Sequence, residues 1–190
     1  MPFVTRRRAM LASLGTLTML GAARPAFAAA EGLGRLEESP PKALPEGLAW
    51  TDGVGAPAGP AQYAGKILVI NLWATWCPPC VAEMPALDRL AAMLGPEGVV
   101  VLPLSSDRGG RAQVAPFYER TRLRSLSIWL DPRGAAARAL GVRGLPTTVI
   151  VDRMGRERAR LEGGAAWDQP ELVAAIRRLG GAAAAATSQT

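Results

Sequence analysis

The sequence contains no histidine and only two cysteines among its 190 residues. A structural zinc site takes four ligands, most often Cys and His side chains, so these counts exclude a zinc site built within one chain. Covalent haem attachment needs a His directly after a Cys-x-x-Cys pair, and that position here is Val81. We therefore expect no metal site and no c-type haem.

The two cysteines are Cys77 and Cys80, separated by Pro78 and Pro79 and placed soon after an apolar run at 67–73. Two thiols at this spacing, between a strand pattern and a helix pattern, indicate a redox-active pair. A helix that begins near Cys77 leaves its thiol beside unpaired N–H groups at the positive end of the helix dipole, which favours the thiolate. Cys80, one turn later, lies on the same side and can displace a group bound to Cys77. A structural disulfide is the alternative, although so short a loop restricts the unfolded chain little.

The N-terminus has the organisation of an export signal. Three arginines at 6–8 precede an apolar stretch at 9–23, and small residues at positions 26 and 28 predict cleavage after Ala28. The apolar stretch is shorter than the about 20 residues that cross a bilayer as a helix, and an uncleaved anchor is the alternative. The arginines also resemble a twin-arginine signal, with an ordinary Sec signal as the alternative. Either route leaves the bacterial cytoplasm, so we expect a periplasmic location, where disulfides persist.

Cleavage after Ala28 also changes the charge of the chain. It would remove four arginines and no acidic residue, which lowers the net charge from +6 to +2 over the remaining 162 residues. A strongly basic chain suggests nucleic-acid binding, but this one is nearly neutral without the signal, so we expect no nucleic-acid partner. Groups of arginines at 120–124 and 153–160 are interpreted as solvated surface or strand edges. The length suits one domain, and we expect a monomer.

The rest of the chain alternates between strand and helix patterns. We predict a flexible leader at 29–46, one domain at 47–180 and a disordered tail at 181–190. Strands are predicted at 48–51, 67–73, 99–104, 126–130, 147–152 and 157–162, and helices at 77–94, 111–122, 135–140 and 169–179. This order predicts an α/β domain with a parallel half and a closing antiparallel hairpin. The cysteine pair follows the first buried strand, at the carboxyl end where open α/β sheets place their sites.

Two segments together resemble the thioredoxin superfamily, and within it the TlpA/ResA-like periplasmic thiol–disulfide oxidoreductases. Residues 65–87 read GKILVINLWATWCPPCVAEMPAL, and residues 141–152 read GVRGLPTTVIVD and are followed by Gly155. The resemblance covers roughly residues 46–180. It implies a thioredoxin-like α/β fold, with a central mixed β-sheet flanked by helices, an extra N-terminal strand and a helical insertion.

The resemblance implies roles for four residues of these segments. Cys77 corresponds to the nucleophilic, solvent-facing cysteine, and Cys80 corresponds to the resolving cysteine. Pro146 resembles the cis-proline that faces the disulfide across the site. A cis bond there would aim the backbone of Leu145 at a client segment, which could add to the site as a short strand. An ordinary trans proline at a strand start is the alternative.

Glu83 stands at the position where TlpA/ResA-like proteins carry an active-site acid, three residues after Cys80. Near a buried thiol, a carboxyl with a raised pKa could take up and return the Cys80 proton during exchange. A solvent-exposed glutamate on the helix is the alternative. Trp76 is expected to shape the site by covering the cysteines. Asn71 is interpreted as a residue for packing and strand-end hydrogen bonding, and Trp167 as a packing residue.

The dipeptide Pro78-Pro79 bears on the direction of electron flow. It supplies no charge and no side-chain donor to a thiolate, which favours a reducing couple, nearer the roughly −270 mV of thioredoxin than the roughly −120 mV of a strong oxidant. A reducing dithiol in an oxidising compartment must be re-reduced, and the resemblance implies a membrane electron donor of the CcdA/DsbD type. It also implies client proteins with disulfides, such as apocytochrome c or copper-site proteins, and no cofactor besides the Cys77–Cys80 disulfide.

Three other functions fit parts of the sequence. A disulfide oxidase or isomerase would share the fold, and a potential above about −180 mV would favour it. A peroxiredoxin-like peroxidase needs a Thr and a Pro upstream of the reactive cysteine, where this chain has Ala74 and Ile70. A Cu(I)-binding chaperone could use a reduced Cys-x-x-Cys pair, but no histidine and no methionine cluster accompanies the cysteines.

Overall fold

A computed structural model describes residues 35–181 together with Met1. The predicted signal at 1–28, the start of the predicted leader and nearly all of the predicted tail lie outside the described residues. None of the helices within residues 35–181 is both long and apolar enough to cross a bilayer. The strands in this part are β1 Leu36–Ala43, β2 Trp50–Asp52, β3 Pro57–Ala58, β4 Ile67–Trp73, β5 Val99–Ser105, β6 Trp129–Leu130, β7 Thr147–Val151 and β8 Arg156–Glu162. The α-helices are α1 Pro78–Leu94, α2 Arg111–Thr121, α3 Ala135–Ala139 and α4 Pro170–Gly180.

The strands form one mixed sheet in the order β1-β8-β7-β4-β5-β6-β2-β3. The central strand β4 pairs in parallel with β5 and antiparallel with β7, and β7 forms the closing hairpin with β8. Every residue of β4 is buried, as a nearly continuous apolar run covered on both faces requires. The predicted central mixed sheet flanked by helices is therefore confirmed.

Two apolar clusters cover the two faces of the sheet. Successive strand residues point to opposite faces, so Val69 packs with apolar side chains of α1, α2 and α4, whereas its neighbour Ile70 packs with α3 and residues 48–58. Asn71 points to the same face as Val69 by this alternation. The one polar residue of β4 thus lies beneath α1, the helix that follows the cysteine pair.

The flexible leader predicted at 29–46 is wrong from Leu36 onward. The strand β1 pairs antiparallel with β8, with an irregular register between Glu38 and Lys42. Its sequence, LEESPPKA, is mostly exposed and has no alternating apolar pattern. The strand forms because β8 would otherwise end the sheet with unpaired backbone groups, and Arg178 of α4 adds an ion pair to Glu38 at 3.0 Å.

The strand predicted at 126–130 shortens to Trp129–Leu130. Its first residues instead form a loop held against α1, because a carboxylate oxygen of Asp88 accepts the backbone N–H groups of residues 124–126 at 2.7 to 3.1 Å. The apolar alternation of residues 126–130 predicts a strand. The hydrogen bonds to Asp88 of α1 hold the first of these residues in a loop instead. Other predicted boundaries differ by only a few residues.

Candidate active site

The cysteine pair lies where β4 ends and α1 begins. The strand ends at Trp73, Cys77 is the N-cap of α1, and Pro78 is its first residue. Proline suits this position because the first N–H groups of a helix have no intrahelical partner and its fixed φ matches the helix. Cys77 and Cys80 form a disulfide, and the Cys80 amide lies 3.4 Å from the Cys77 sulfur. The pair therefore lies at the positive end of the α1 dipole, where a thiolate is stabilised.

The two sulfurs differ in how far another molecule can reach them. Cys77 is 5% exposed and borders a groove, whereas Cys80 is fully buried. An incoming disulfide can therefore meet Cys77, and Cys80 can react only with a group already bound there. In the part of the chain that the structure describes, no three His, Cys, Asp or Glu side chains lie together as metal ligands would.

The groove beside Cys77 has a volume of about 550 Å³. Its walls combine the active-site turn with the segment that leads into β7, including Trp76, Pro78, Val142, Arg143 and Leu145. Trp76 is 64% exposed, so it forms an outer wall of the groove.

The peptide bond between Leu145 and Pro146 is cis. Leu145 faces the groove beside Cys77, whereas Pro146 is buried at the start of β7 and its carbonyl accepts the Gly163 N–H at 2.9 Å. The residue before the proline therefore borders the groove beside Cys77. Pro79, in the active-site turn, is a further wall residue.

Glu83 is a buried carboxyl on the inward face of α1, one turn after Cys80. It is only 3% exposed, so the alternative of a solvent-exposed glutamate is excluded. Its Oε1 accepts a hydrogen bond from Asn71 Nδ2 at 2.8 Å, and its Oε2 accepts the Ala165 N–H at 3.0 Å and the Trp167 indole N–H at 2.9 Å. Burial raises the pKa of Glu83 above its ordinary value, and the three hydrogen bonds oppose this only in part.

Two residues that hold Glu83 are not predicted from the sequence to contact it: Asn71 is predicted to pack and to form strand-end hydrogen bonds, and Trp167 only to pack. Trp167 is fully buried in the turn between β8 and α4, and its indole reaches Glu83 across 84 positions of sequence. Asn71 is likewise fully buried. Each carries a signal that could have been used: Asn71 is the one polar residue in an apolar buried strand, and Trp167 is the one large residue among small ones.

A second buried carboxyl holds the turn that precedes Cys77. Asp107 follows β5 and is fully buried. It accepts hydrogen bonds from the Thr75 N–H at 2.9 Å, the Thr75 hydroxyl at 2.7 Å and the Ser105 hydroxyl at 2.8 Å. Because Thr75 stands two residues before Cys77, we infer that this carboxyl fixes the turn that presents the nucleophilic sulfur. The sequence predicts no role for this residue.

Replacing Asp107 with alanine is expected to lower the free energy of unfolding by about 2 kcal/mol, because it leaves the buried Ser105 hydroxyl and the two partly buried donors of Thr75 without their acceptor. Asp107→Asn is the matched control. Its carbonyl oxygen can still accept from the Thr75 N–H and the Ser105 hydroxyl, so a smaller loss is expected. Urea unfolding of the oxidised proteins measures both, and equal midpoints for wild type and Asp107→Ala would refute this role.

The comparison with protein families identifies the chain. A family model described as Redoxin matches residues 42–176. The chain belongs to the Redoxin family. This Redoxin protein is 34% identical over 102 residues to a thiol-disulfide oxidoreductase ResA of Geobacillus thermodenitrificans, a match that covers 54% of this chain and 58% of that protein. It is 34% identical over 151 residues to a thiol:disulfide interchange protein DsbE homolog of Paracoccus denitrificans, covering 68% and 74% of the two chains. The match thus spans less than two thirds of the ResA relative's length and about three quarters of the DsbE homolog's.

Solved structures share the fold of this Redoxin protein. A putative thiol:disulfide interchange protein DsbE from Chlorobium tepidum superposes with a TM-score of 0.62 at 23% identity, over 78% of this chain and 98% of that one. A secreted Mycobacterium tuberculosis disulfide oxidoreductase, described as homologous to E. coli DsbE, gives a TM-score of 0.57 at 26% identity, over 67% and 92%. The thioredoxin-like fold and the similarity to ResA-like oxidoreductases are both confirmed.

Proposed function

We propose that this chain is a periplasmic thiol–disulfide oxidoreductase that reduces disulfides in selected client proteins. The Cys77–Cys80 disulfide at the start of α1 carries the proposal, because one sulfur borders the groove and the other is buried behind it. The printed names of its relatives, thiol-disulfide oxidoreductase and thiol:disulfide interchange protein, support the same chemistry.

Client reduction takes two exchange steps. The Cys77 thiolate attacks one sulfur of the client disulfide, so that a Cys77–client bond forms as the client S–S bond breaks and the leaving thiolate takes up a proton. Cys80 then loses its proton and attacks the Cys77 sulfur, which releases the second client thiolate and closes the Cys77–Cys80 disulfide. The second client thiolate also takes up a proton, so the client gains two electrons and two protons. The cysteine pair loses two electrons and two protons when it is counted from the dithiol, one proton when Cys77 ionises before the attack and one from Cys80.

Glu83 is the group that we propose to take up the Cys80 proton. Cys80 is fully buried, so a thiolate formed there has no water around it and is costly unless its proton has a nearby acceptor. Glu83 lies one turn further along α1, and burial raises its pKa toward the range in which a carboxyl can accept and return a proton near neutral pH. On re-reduction of the disulfide, the same carboxyl returns the proton to Cys80.

The groove is the proposed binding site for the client segment that carries the disulfide. Its walls are mostly apolar, and Trp76 and Leu145 line it together with Cys77. An extended segment could pair with the backbone at Leu145, before the cis Pro146, while its side chains contact Trp76 and the prolines Pro78 and Pro79. This fits clients that are locally unfolded around their cysteines.

The cellular setting belongs to the same proposal. An arginine-rich N-terminus followed by an apolar stretch supports export. Re-reduction would then require a membrane electron donor of the CcdA/DsbD type, with apocytochrome c or copper-site proteins as clients and no cofactor besides the disulfide. We expect the enzyme to act as a monomer.

The midpoint potential of the cysteine pair tests the direction of the reaction. We expect a value nearer about −270 mV than −120 mV, because Pro78 and Pro79 offer the thiolate neither a charge nor a side-chain donor. Equilibration with glutathione or dithiothreitol buffers measures it. A Pro79→His variant is the control: its side chain can stabilise the thiolate, so its potential should be less negative than wild type. A wild-type potential above about −180 mV would instead favour an oxidase or isomerase.

A further inference from the structure

The hydrogen bonds of Glu83 determine which of its oxygens can carry a proton. Oε2 accepts the backbone N–H of Ala165 and the indole N–H of Trp167. Both groups are donors only and cannot reverse direction, so they occupy the acceptor sites of this oxygen. A proton taken up by Glu83 must therefore go to Oε1, whose partner is the side chain of Asn71.

The two ends of the Asn71 carboxamide differ in their hydrogen bonds. It is fully buried, and its Nδ2 donates to Glu83 Oε1 at 2.8 Å and to Thr148 Oγ1 at 2.9 Å. Its Oδ1 is buried and has no hydrogen-bond partner among the described residues. Asn71 and Thr148 are directly opposite each other on β4 and β7, so the amide lies between a hydroxyl and a carboxyl.

We propose that the Asn71 carboxamide turns over when Glu83 is protonated, and that it thereby positions the proton on Oε1. In the ionised state Nδ2 donates to Oε1 and to Thr148 Oγ1. When the proton arrives, both bonds break, the carboxamide rotates by half a turn, and Oδ1 accepts from Oε1–H and from the Thr148 hydroxyl. No bond to Oε2 changes. The role of this step in catalysis rests on the proposed function, because the proton it positions is the one exchanged with Cys80.

The two orientations make the same number of hydrogen bonds to neighbouring groups. Each makes two hydrogen bonds, and each leaves one end of the amide without a partner, Oδ1 in one state and Nδ2 in the other. Thr148 serves both states because a hydroxyl can accept or donate. The ionisation of Glu83 therefore decides the orientation, since a carboxylate needs a donor at Oε1 and a carboxylic acid needs an acceptor.

The groups that contact Glu83 from the neighbouring elements are neutral. They are Asn71 from β4 and the Ala165 amide and Trp167 indole from the turn before α4, with the Gly164 backbone beside Oε2. On α1 itself the titratable neighbour is Cys80, which carries no proton in the disulfide. In the oxidised protein Glu83 therefore titrates against Asn71 without a second titrating group in contact. Asn71 is a positioning residue that acts through Glu83.

NMR of the oxidised protein tests the proposal directly. Asn71 is the only asparagine in the chain, so its side-chain NH₂ signals can be assigned without ambiguity. A pH titration would follow the Glu83 carboxyl carbon and the Asn71 NH₂ together. As Glu83 becomes protonated, we expect the NH₂ protons to shift upfield, because they lose both acceptors, and their NOEs to the Thr148 side chain to weaken. The NH₂ of Gln113, which donates to Thr75 Oγ1 at 3.0 Å, is the internal control and should not move.

A Glu83→Gln variant provides the second arm. Its amide oxygen can take the place of Oε2, and its NH₂ then takes the place of Oε1 and donates to Asn71 Oδ1. We expect this variant to show the turned-over Asn71 at every pH. NOEs and NH₂ shifts of Asn71 that stay constant through the wild-type Glu83 titration would overturn the proposal, whether or not the variant folds. Insulin reduction is measured separately. If the Asn71 carboxamide stays fixed in a protein that reduces insulin, the rotation is refuted and the proposed function is not.

Discussion

Replacing Cys77 with serine is expected to reduce the rate of disulfide reduction to the uncatalysed background. The thiolate is the species that attacks a disulfide, and Cys77 is the sulfur that borders the groove, whereas Cys80 is fully buried. Serine keeps the shape of the side chain and removes the nucleophile. Insulin reduction in the presence of dithiothreitol measures the loss, and circular dichroism checks that the variant is folded.

Cys80→Ala is the matched variant, and it should fail in a different way. Cys77 can still attack, but nothing resolves the product, so one equivalent of client should remain attached to Cys77 as a mixed disulfide. Mass spectrometry with a reducible peptide measures the adduct. Reduction of insulin by Cys77→Ser well above background, or a mixed disulfide on Cys80 of Cys77→Ser, would contradict the proposed order of attack.

The same Cys80→Ala variant can identify the clients. Expressed in the bacterial periplasm, it should retain its natural partners through a bond that survives denaturation but not dithiothreitol. We expect the retained proteins to be apocytochrome c or copper-site proteins. The proposed client-binding surface is the groove around Cys77. Its walls come from separate parts of the chain, so the sequence motif alone does not name the client.

The part of the site that could be predicted is the part encoded locally. The cysteines, the two prolines and the start of α1 are adjacent in sequence, so spacing and helix-capping rules were enough to place Cys77 at the helix N-terminus and Cys80 one turn in. The complete burial of β4 follows from its nearly continuous apolar run. The acid at Glu83 came from the family resemblance, since spacing places it on the helix without revealing that it is buried.

The parts that could not be predicted depend on contacts between distant segments. Trp167 reaches Glu83 only because the sheet and the turn before α4 bring the two together across 84 positions of sequence. The strand β1 has no apolar alternation of its own, and it forms on the edge that β8 provides. In each case the local sequence is compatible with the observed contact or strand but does not predict it. Asn71 is the residue that could have predicted the contact with Glu83, because a lone polar side chain in a buried strand needs a hydrogen-bond partner.

Glu83→Gln is expected to slow client reduction at the step carried out by Cys80, by about a hundredfold, the scale typical of a lost proton acceptor. The Gln side chain can still accept from the Ala165 N–H and the Trp167 indole N–H, but it cannot take up the Cys80 proton. Attack by Cys77 should be unaffected, so the mixed disulfide should accumulate transiently in stopped-flow experiments with the variant and not with wild type. Glu119→Gln, at an exposed position on α2, is the control and should behave as wild type at every pH.

The same substitution should change how stability depends on pH. Burial raises the pKa of Glu83 above its ordinary value of 4.5, so the folded protein holds a proton on Glu83 that the unfolded chain has already released. Stability from this group is fully present below about pH 4.5 and is lost as the pH rises through the raised pKa of the folded state. Urea unfolding of the oxidised proteins, in which neither cysteine titrates, should therefore show wild type losing stability relative to Glu83→Gln as the pH increases from 4 toward neutrality. A constant difference between the two proteins over that range would mean that Glu83 is not a buried acid with a raised pKa, and its assignment as the proton acceptor for Cys80 would fail with it.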